Sequence, residues 1–215
     1  MSIPRLFAVT ISRQVGSGGA SVGRKVASEL GIAYADRSIL ERATIVLDAC
    51  AEDVEAAEEK APSFLRRLLE SYAIVPDPGH YLRPPNYADV RDTEASVIRE
   101  IAGQVSSVIV GRAGFHVLAA HTRHMSVFIH ADVPYRVKRV AERSKISEAQ
   151  AIHLVQESDK ARGRFLEEIT GRPWTDALQY AVSVCTSVLG EDLAVQAICD
   201  LVKARFGSDL RAAPT

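Results

Sequence analysis

The sequence predicts an α/β domain of three layers, a parallel sheet covered by helices on both faces. Three observations predict it. An apolar run, Leu6 to Ile11, passes straight into a glycine-rich segment; a helical pattern follows the glycines; and short strand-like runs then alternate with helical stretches along the chain. The runs are rich in residues that suit strands buried on both faces, as parallel sheets require. At 215 residues, 47% hydrophobic and 25% charged, the composition is ordinary for a globular chain of one domain, with room for an insertion.

Val22, Val26 and Leu30 form one helical face, so a helix is expected to begin near Val22 and to end at a Gly31 cap. A short strand over Ile32–Ala35 leads to Asp36, and Ile39 to Leu47 reads as a helix. Residues 50–70 have helix-forming composition, whereas 76–87 hold four prolines and a glycine and predict irregular chain, so 50–92 reads as an inserted element. Helical pattern resumes at Thr93–Ala102. Strands are expected at Ser107–Val110, Met125–Ile129 and Val182–Val184. A helix starts around Pro134, and another near Ser147, where Ser147 and Gln150 can form a capping box, continues toward Glu168. Glu191–Phe206 is the closing amphipathic helix.

A formal charge of -1 supplies no global attraction to nucleic acid or to an anionic membrane, so any anion site must be built locally. Cys50, Cys185 and Cys199 are odd in number, widely spaced and without a CxxC pair, which predicts free thiols and no zinc ribbon. His116, His121, His124 and His130 crowd one region without HxxxH spacing, so no metal ligands are assigned. No leader-like or membrane-spanning run is read, and the expected location is cytoplasmic, with neither nucleic acid nor membrane as partner.

The chemistry concentrates at Gly16-Ser17-Gly18-Gly19-Ala20-Ser21-Val22-Gly23-Arg24-Lys25. Gly18 and Gly23 hold the spacing of the Walker pattern GxxxxGK[ST], whose glycines permit a tight curl with backbone N–H groups facing phosphate oxygens. A helix N-terminus behind the curl adds its positive dipole end. In that register Arg24 takes the lysine position and Lys25 that of the metal-binding hydroxyl. A dinucleotide reading, GxGxxG from Gly16 with Asp36 as the ribose acid, meets Ser21 where its third glycine belongs. A plain strand-to-helix turn is the remaining alternative. Elsewhere, Arg112 follows a strand end, and Asp159 and Arg162 share a helical face three residues apart. That pair can set a carboxylate near a sugar hydroxyl and a guanidinium near phosphate, or simply form a salt bridge. Trp174, beside Pro173, is read as an anchor for the loop returning to the last strand.

These residues resemble the cytidylate kinase-like family. The resemblance rests on Ile11-Ser12-Arg13-Gln14 with Gly16-Ser17-Gly18-Gly19, on Val108-Ile109-Val110-Gly111-Arg112, on Val127-Phe128-Ile129-His130-Ala131, on Arg136 with Arg139, and on Ser158-Asp159-Lys160-Ala161-Arg162. It implies a P-loop NTPase fold of five parallel strands in a single domain, with a lid at about 136–170. It also implies ATP, with Mg²⁺, at the glycine loop and a nucleoside monophosphate across the cleft. The activity implied is phosphoryl transfer, CMP or dCMP to the diphosphate. By residue, it implies Arg24, Arg112 and Arg162 as catalytic cations, Arg136 and Arg139 as lid contacts to ATP, and Asp36, Arg37, Arg112, Asp159 and Arg162 around the monophosphate. The chain departs from the family at Arg24, Lys25, Ala113 and Val155. Those departures keep two other readings open: a nucleotide-binding regulatory module with weakened catalysis, and a kinase for another small acceptor.

Overall fold

The computed structural model describes residues 5–36 and 87–210. Five strands form one all-parallel sheet: β1 Ala8–Arg13, β2 Ala33–Ala35, β3 Ser107–Val110, β4 His124–His130 and β5 Val182–Cys185, in the spatial order β2-β3-β1-β4-β5. Around it lie α1 Gly19–Leu30, α2 Tyr87–Gln104, α3 Gly114–Val117, α4 Val133–Ser144, α5 Glu148–Thr170 and α6 Thr186–Leu210, with a 3₁₀ turn at Ala177–Gln179. The predicted helix Ile39–Leu47, Arg37, Cys50 and the insertion as far as residue 86 lie outside the described residues.

Alternation along β1 separates the two faces. Phe7, Val9 and Ile11 join Val22, Val26 and Leu30 of α1 and Ile198, Val202 and Phe206 of α6 in the larger core. Ala8, with Ile109 of β3, packs instead against Val97, Ile98 and Ile101 of α2. Covered on both faces, the central strands carry few polar side chains, which is why they read as largely apolar runs. A third cluster, Val137, Val140, Ala151 and Val155, joins α4 to α5. Val155, a departure from the family pattern, is thus a core residue of that helix pair.

The capping box is present as expected: Ser147 Oγ accepts from the Gln150 amide, and Gln150 Oε1 accepts from the Ser147 amide. Pro134 lies in the first turn of α4. α2 starts at Tyr87, six residues before the expected Thr93. The helix expected from Glu191 is preceded by a short turn, Thr186 to Leu189, and Gly190 (φ 75°, ψ 168°) breaks the two apart. Cys199 is buried, and Cys185 is half-buried with its Sγ 3.1 Å from Ser187 Oγ.

β4 opens at His124, whose Nε2 is 2.7 Å from Thr10 Oγ1. Burial, reinforced by His121 and Arg205, holds its pKa down to about 4 from the ordinary 6.5. The unfolded chain takes up this proton near pH 6.5 and the folded chain does not. His124 therefore supports stability fully above pH 6.5, and that support is lost as pH falls from 6.5 toward 4. An NMR titration should find it neutral at pH 6, and the stability difference between wild type and H124Q should change across that window and be flat above it.

Gly23 lies inside α1, where an added Cβ would sit 2.9 Å from Val110 Cγ2 and 3.1 Å from Ile11 Cδ1. Both neighbours are locked in the core. G23A should destabilise the fold by about 1–3 kcal/mol of overpacking in spite of alanine's better helix propensity. Urea unfolding would check this.

Candidate active site

β1 delivers the chain to the carboxyl edge of the sheet, and a curl at Gln14–Gly18 returns it into α1. Gly16 and Gly18 both take φ of 81°, in the left-handed region that favours glycine. Gly16 is also constrained by contact, because an added Cβ would lie 2.7–2.9 Å from the Arg136 main chain and Cβ. The curl is held from below. The Gln14 amide donates to the Ile129 carbonyl at 3.0 Å, and Gln14 Oε1 accepts from the Ala131 amide at 3.2 Å. The buried Ser17 hydroxyl donates to the carbonyls of Gln14 and Ile129, and the buried Thr186 hydroxyl donates to the Ser17 carbonyl at 2.7 Å.

The first helical bond of α1 runs from the Val22 amide to the Gly18 carbonyl at 3.0 Å. The amides of Gly19, Ala20 and Ser21 precede it, so they belong to the unpaired first turn that receives anions. They line a cavity of about 640 Å³ shared with Gly16, Gly18, Arg139 and Arg162.

The helix starts at Gly19, not near Val22, and that moves the expected Walker register. Gly23, Arg24 and Lys25 fall in the second turn of α1, away from the curl. Val22 is fully buried in the core. Arg24, largely exposed, sits 3.9 Å from Asp36 and 5.2 Å above the Tyr34 ring, and Lys25 pairs with Asp192 at 2.7 Å. Gly23 is small because of Val110 and Ile11, not because of phosphate. The residue that closes the curl is Gly18, and the hydroxyl near the helix start is Ser21, which donates to Glu191 Oε2 at 2.7 Å.

The expected arginines divide. Arg112 stands in a strained turn after β3, where Gly111, Arg112 and Ala113 all take positive φ (88°, 54° and 53°). Its guanidinium pairs with the nearly buried Glu94 at 2.8 Å. Arg162, on α5, has its pKa lowered by burial, an effect opposed by Asp159 and reinforced by Arg136. Its Nη1 is buried without a hydrogen-bond partner, and its Cζ stands 5.7 Å from the centre of the Trp174 ring. Trp174 is itself buried against Phe128 and Gly163, an anchor as expected.

Arg136 and Asp159 correct the sequence reading. Arg136 is 2% exposed and pairs with Asp159 at 2.8 Å. It also donates to the carbonyls of Ala131 at 3.0 Å and Val15 at 3.4 Å. It supports the curl from beneath instead of reaching into the cavity. The carboxylate of Asp159 is turned to Arg136, so no Asp159–Arg162 salt bridge forms. Arg139 does line the loop cavity, hydrogen-bonded to Tyr135 and paired with Glu191. Asp36 ends β2 beside Arg24, and its charge acts on Arg13.

Arg13 is the site residue that sequence reasoning passed over. Burial lowers its pKa, and Arg162 and Arg112 lower it further against opposing effects of Tyr34 and Asp36. It lines the loop cavity and also a second cavity of about 290 Å³ bounded by Gly111, Arg112, Ala113 and Arg162. An arginine at the carboxyl end of the central strand was the available signal, the same one that singled out Arg112. Among the described residues, no group of three or more His, Cys, Asp or Glu side chains is placed to hold a metal ion, and no helix is long and apolar enough to cross a membrane.

A glycine curl between two cavities thus lies at the carboxyl edge of a five-stranded parallel sheet. The pattern of the cytidylate kinase-like family covers residues 8–188. The chain belongs to that family. This kinase-like chain has the fold of an uncharacterized protein from Eubacterium ventriosum, with a TM-score of 0.68 at 23% identity over 93% of this chain and all of that one. It also matches shikimate kinase from Bacteroides thetaiotaomicron, with a TM-score of 0.51 at 14% identity over 93% of this chain and 99% of that one. None of the curated proteins matches it. It is thus a P-loop protein of kinase type.

The buried Arg136–Asp159 pair makes a test of the loop's support. D159L should destabilise by about 3–5 kcal/mol, because it strands the buried Arg136 guanidinium; R136M, which leaves the partly exposed Asp159, should cost less, and R136M/D159L should cost much less than D159L. A double-mutant cycle by chemical denaturation reads the difference.

Proposed function

We propose that this kinase-like chain transfers the γ-phosphoryl group of ATP to a nucleoside monophosphate, CMP or dCMP in the cytidylate manner. The observation that carries the reading is the common wall of the two cavities. Arg162 lines both, with a buried Nη1 that lacks a protein partner. A buried guanidinium nitrogen left without an acceptor is costly unless an anion supplies one, and a phosphate does.

ATP phosphates fit the loop cavity, with the amides of Gly18 to Ser21 and Arg139 around them. The monophosphate fits the smaller cavity, beside Arg112. In the reaction an acceptor phosphate oxygen bonds to the γ-phosphorus as the bond to the β-bridging oxygen breaks, which leaves ADP and a nucleoside diphosphate. Such transfer runs on positioning and on neutralising charge spread over the phosphate oxygens, which is what convergent arginines do. Mg²⁺ would add positive charge between phosphates, and the Ser21 hydroxyl and Glu191 carboxylate are the oxygen donors at hand.

The second reading, a nucleotide-binding module or a kinase for another small acceptor, is favoured by Glu94. It holds Arg112 within an ion pair, and Ala113 presents no polar group to the smaller cavity.

A panel of nucleoside monophosphates with ATP and Mg²⁺, followed by diphosphate formation, separates the readings. Turnover with CMP or dCMP is expected, and ATP binding without turnover on any acceptor overturns the kinase reading. R162M should lower kcat/KM by roughly 10²–10³-fold, the scale of one lost transition-state donor.

A further inference from the structure

Loops of the Walker type carry their phosphate-binding cation as a lysine directly after the glycine that closes the curl. Here the curl closes at Gly18, and the next residue is Gly19, which has no side chain. The space that side chain would enter is filled. A Cβ built on Gly19 would lie 2.5 Å from Arg13 Cβ and 3.0 Å from Arg13 Cγ. The far end of the same arginine is bounded by a second glycine, because a Cβ on Gly111 would lie 2.2 Å from Arg13 Nη1. Arg13 thus runs from the head of α1 to the end of β3, with its stem over one glycine and its guanidinium against another.

We propose that Arg13 supplies, from the end of the central strand, the phosphate-gripping cation that loops of this kind otherwise carry on the helix, and that it grips phosphate where the two cavities meet. This rests on the phosphotransfer reading above and adds to it a catalytic residue that the motif does not contain.

Three observations beyond the steric ones support it. Arg13 lines both cavities, as Arg162 does. Arg112 pairs with Glu94, Arg136 with Asp159, Arg139 with Glu191 and Arg24 with Asp36, whereas neither Arg13 nor Arg162 enters an ion pair among the described residues. Burial, and after it the fields of Arg162 and Arg112, act on Arg13 against its charged state, with Tyr34 and Asp36 acting the other way. A purely structural arginine would be placed beside a carboxylate. Arg13, near two other guanidinium groups and without an ion pair of its own among the described residues, is instead arranged for a polyanion. A guanidinium suits that place because its planar fork can hold oxygens of two phosphates at once, where an ammonium acts as a point charge.

The test uses the full chain with a fluorescent nonhydrolysable ATP analogue, thermal unfolding and the monophosphate assay, on wild type, R13M, R13K, R13G, G19K and R13G/G19K. R13M should bind the analogue roughly 10- to 100-fold more weakly, the loss expected for charge-assisted bonds to phosphate. Its ligand-free melting temperature should stay level or rise, because like-charge repulsion is relieved. R13K should fall between wild type and R13M. G19K alone should be impaired by overlap with the Arg13 stem, and R13G/G19K should recover most of the analogue affinity that R13G loses.

Wild-type affinity and turnover in R13M would overturn the assignment, as would a lower melting temperature in R13M with unchanged affinity in the folded protein. If R13G/G19K binds no better than R13G, the cation's place was misread and the assignment falls. A wild type that binds no analogue would sink it together with the kinase reading, whereas the other failures leave that reading standing.

Discussion

The seating of the glycine curl on the carboxyl ends of β4 and β5 is the constraint on which the cleft depends. Ser17 and Gln14 tie the curl to Ile129 and Ala131, and Thr186 fastens the Ser17 carbonyl from the start of α6. These bonds use the inward-facing polar groups of the turn, so its remaining amides face the cavity. A loop rich in glycine would otherwise give up much backbone entropy to hold one shape. Here that cost is met by burial and by hydrogen bonds from the end of β4 and the start of α6. The anion site is therefore a property of the sheet as much as of the motif.

Charge in the cleft is divided into two kinds. Arg136 is buried and fully engaged by Asp159 and two carbonyls, and it serves the curl as a strut. Arg13 and Arg162 are also desolvated; the charges of Asp36 and Asp159 act on them, but neither arginine forms an ion pair among the described residues, and Arg162 opposes the charge on Arg13. Guanidinium stays charged under such conditions, so in the proposed function a phosphate-bearing ligand would relieve their mutual repulsion. Arg112 stands between the two kinds, ion-paired to Glu94 yet facing the smaller cavity. The same side-chain chemistry thus stands in two settings within one cleft, and the partners distinguish them.

That division explains how far the sequence could be read. The strands were legible because a sheet buried on both faces writes itself as largely apolar runs, and Ser107–Val110 is found with the expected limits. The capping box and the helix-start proline were legible because each is a local, short-range device. The start of α1 was not. Gly23 fits the Walker spacing, but it is glycine so that α1 can lie close on Val110 and Ile11, a tertiary reason with no local signature. The helical spacing of Arg136 and Arg139 likewise gave no hint that one faces the α4–α5 interface and the other the loop cavity. Asp159 and Arg162 share a face as expected, but Arg136 from the neighbouring helix claims the carboxylate. Arg37 and the insertion stand apart from this comparison, since they lie outside the described residues.

Strand register accounts for where the cleft opens. β1 pairs with β3 only as far as Ile11 opposite Val110, but with β4 as far as Arg13 opposite Ile129. The chain leaves β3 at Gly111, whose amide still bonds to the Ile11 carbonyl at 2.9 Å, and then turns through three residues of positive φ. β1 therefore outruns one neighbour and not the other. On the outrun side Ser12 and Arg13 have no strand beside them, and the smaller cavity fills that gap. A longer β3 would have paired with Arg13 and closed the space; a bulkier residue at Gly111 would have met its guanidinium. The stagger of two residues between the edges of β1 sets an arginine at the sheet's carboxyl end facing sideways, between the loop cavity and the smaller one, where sequence periodicity alone would have counted it as the last residue of a buried strand.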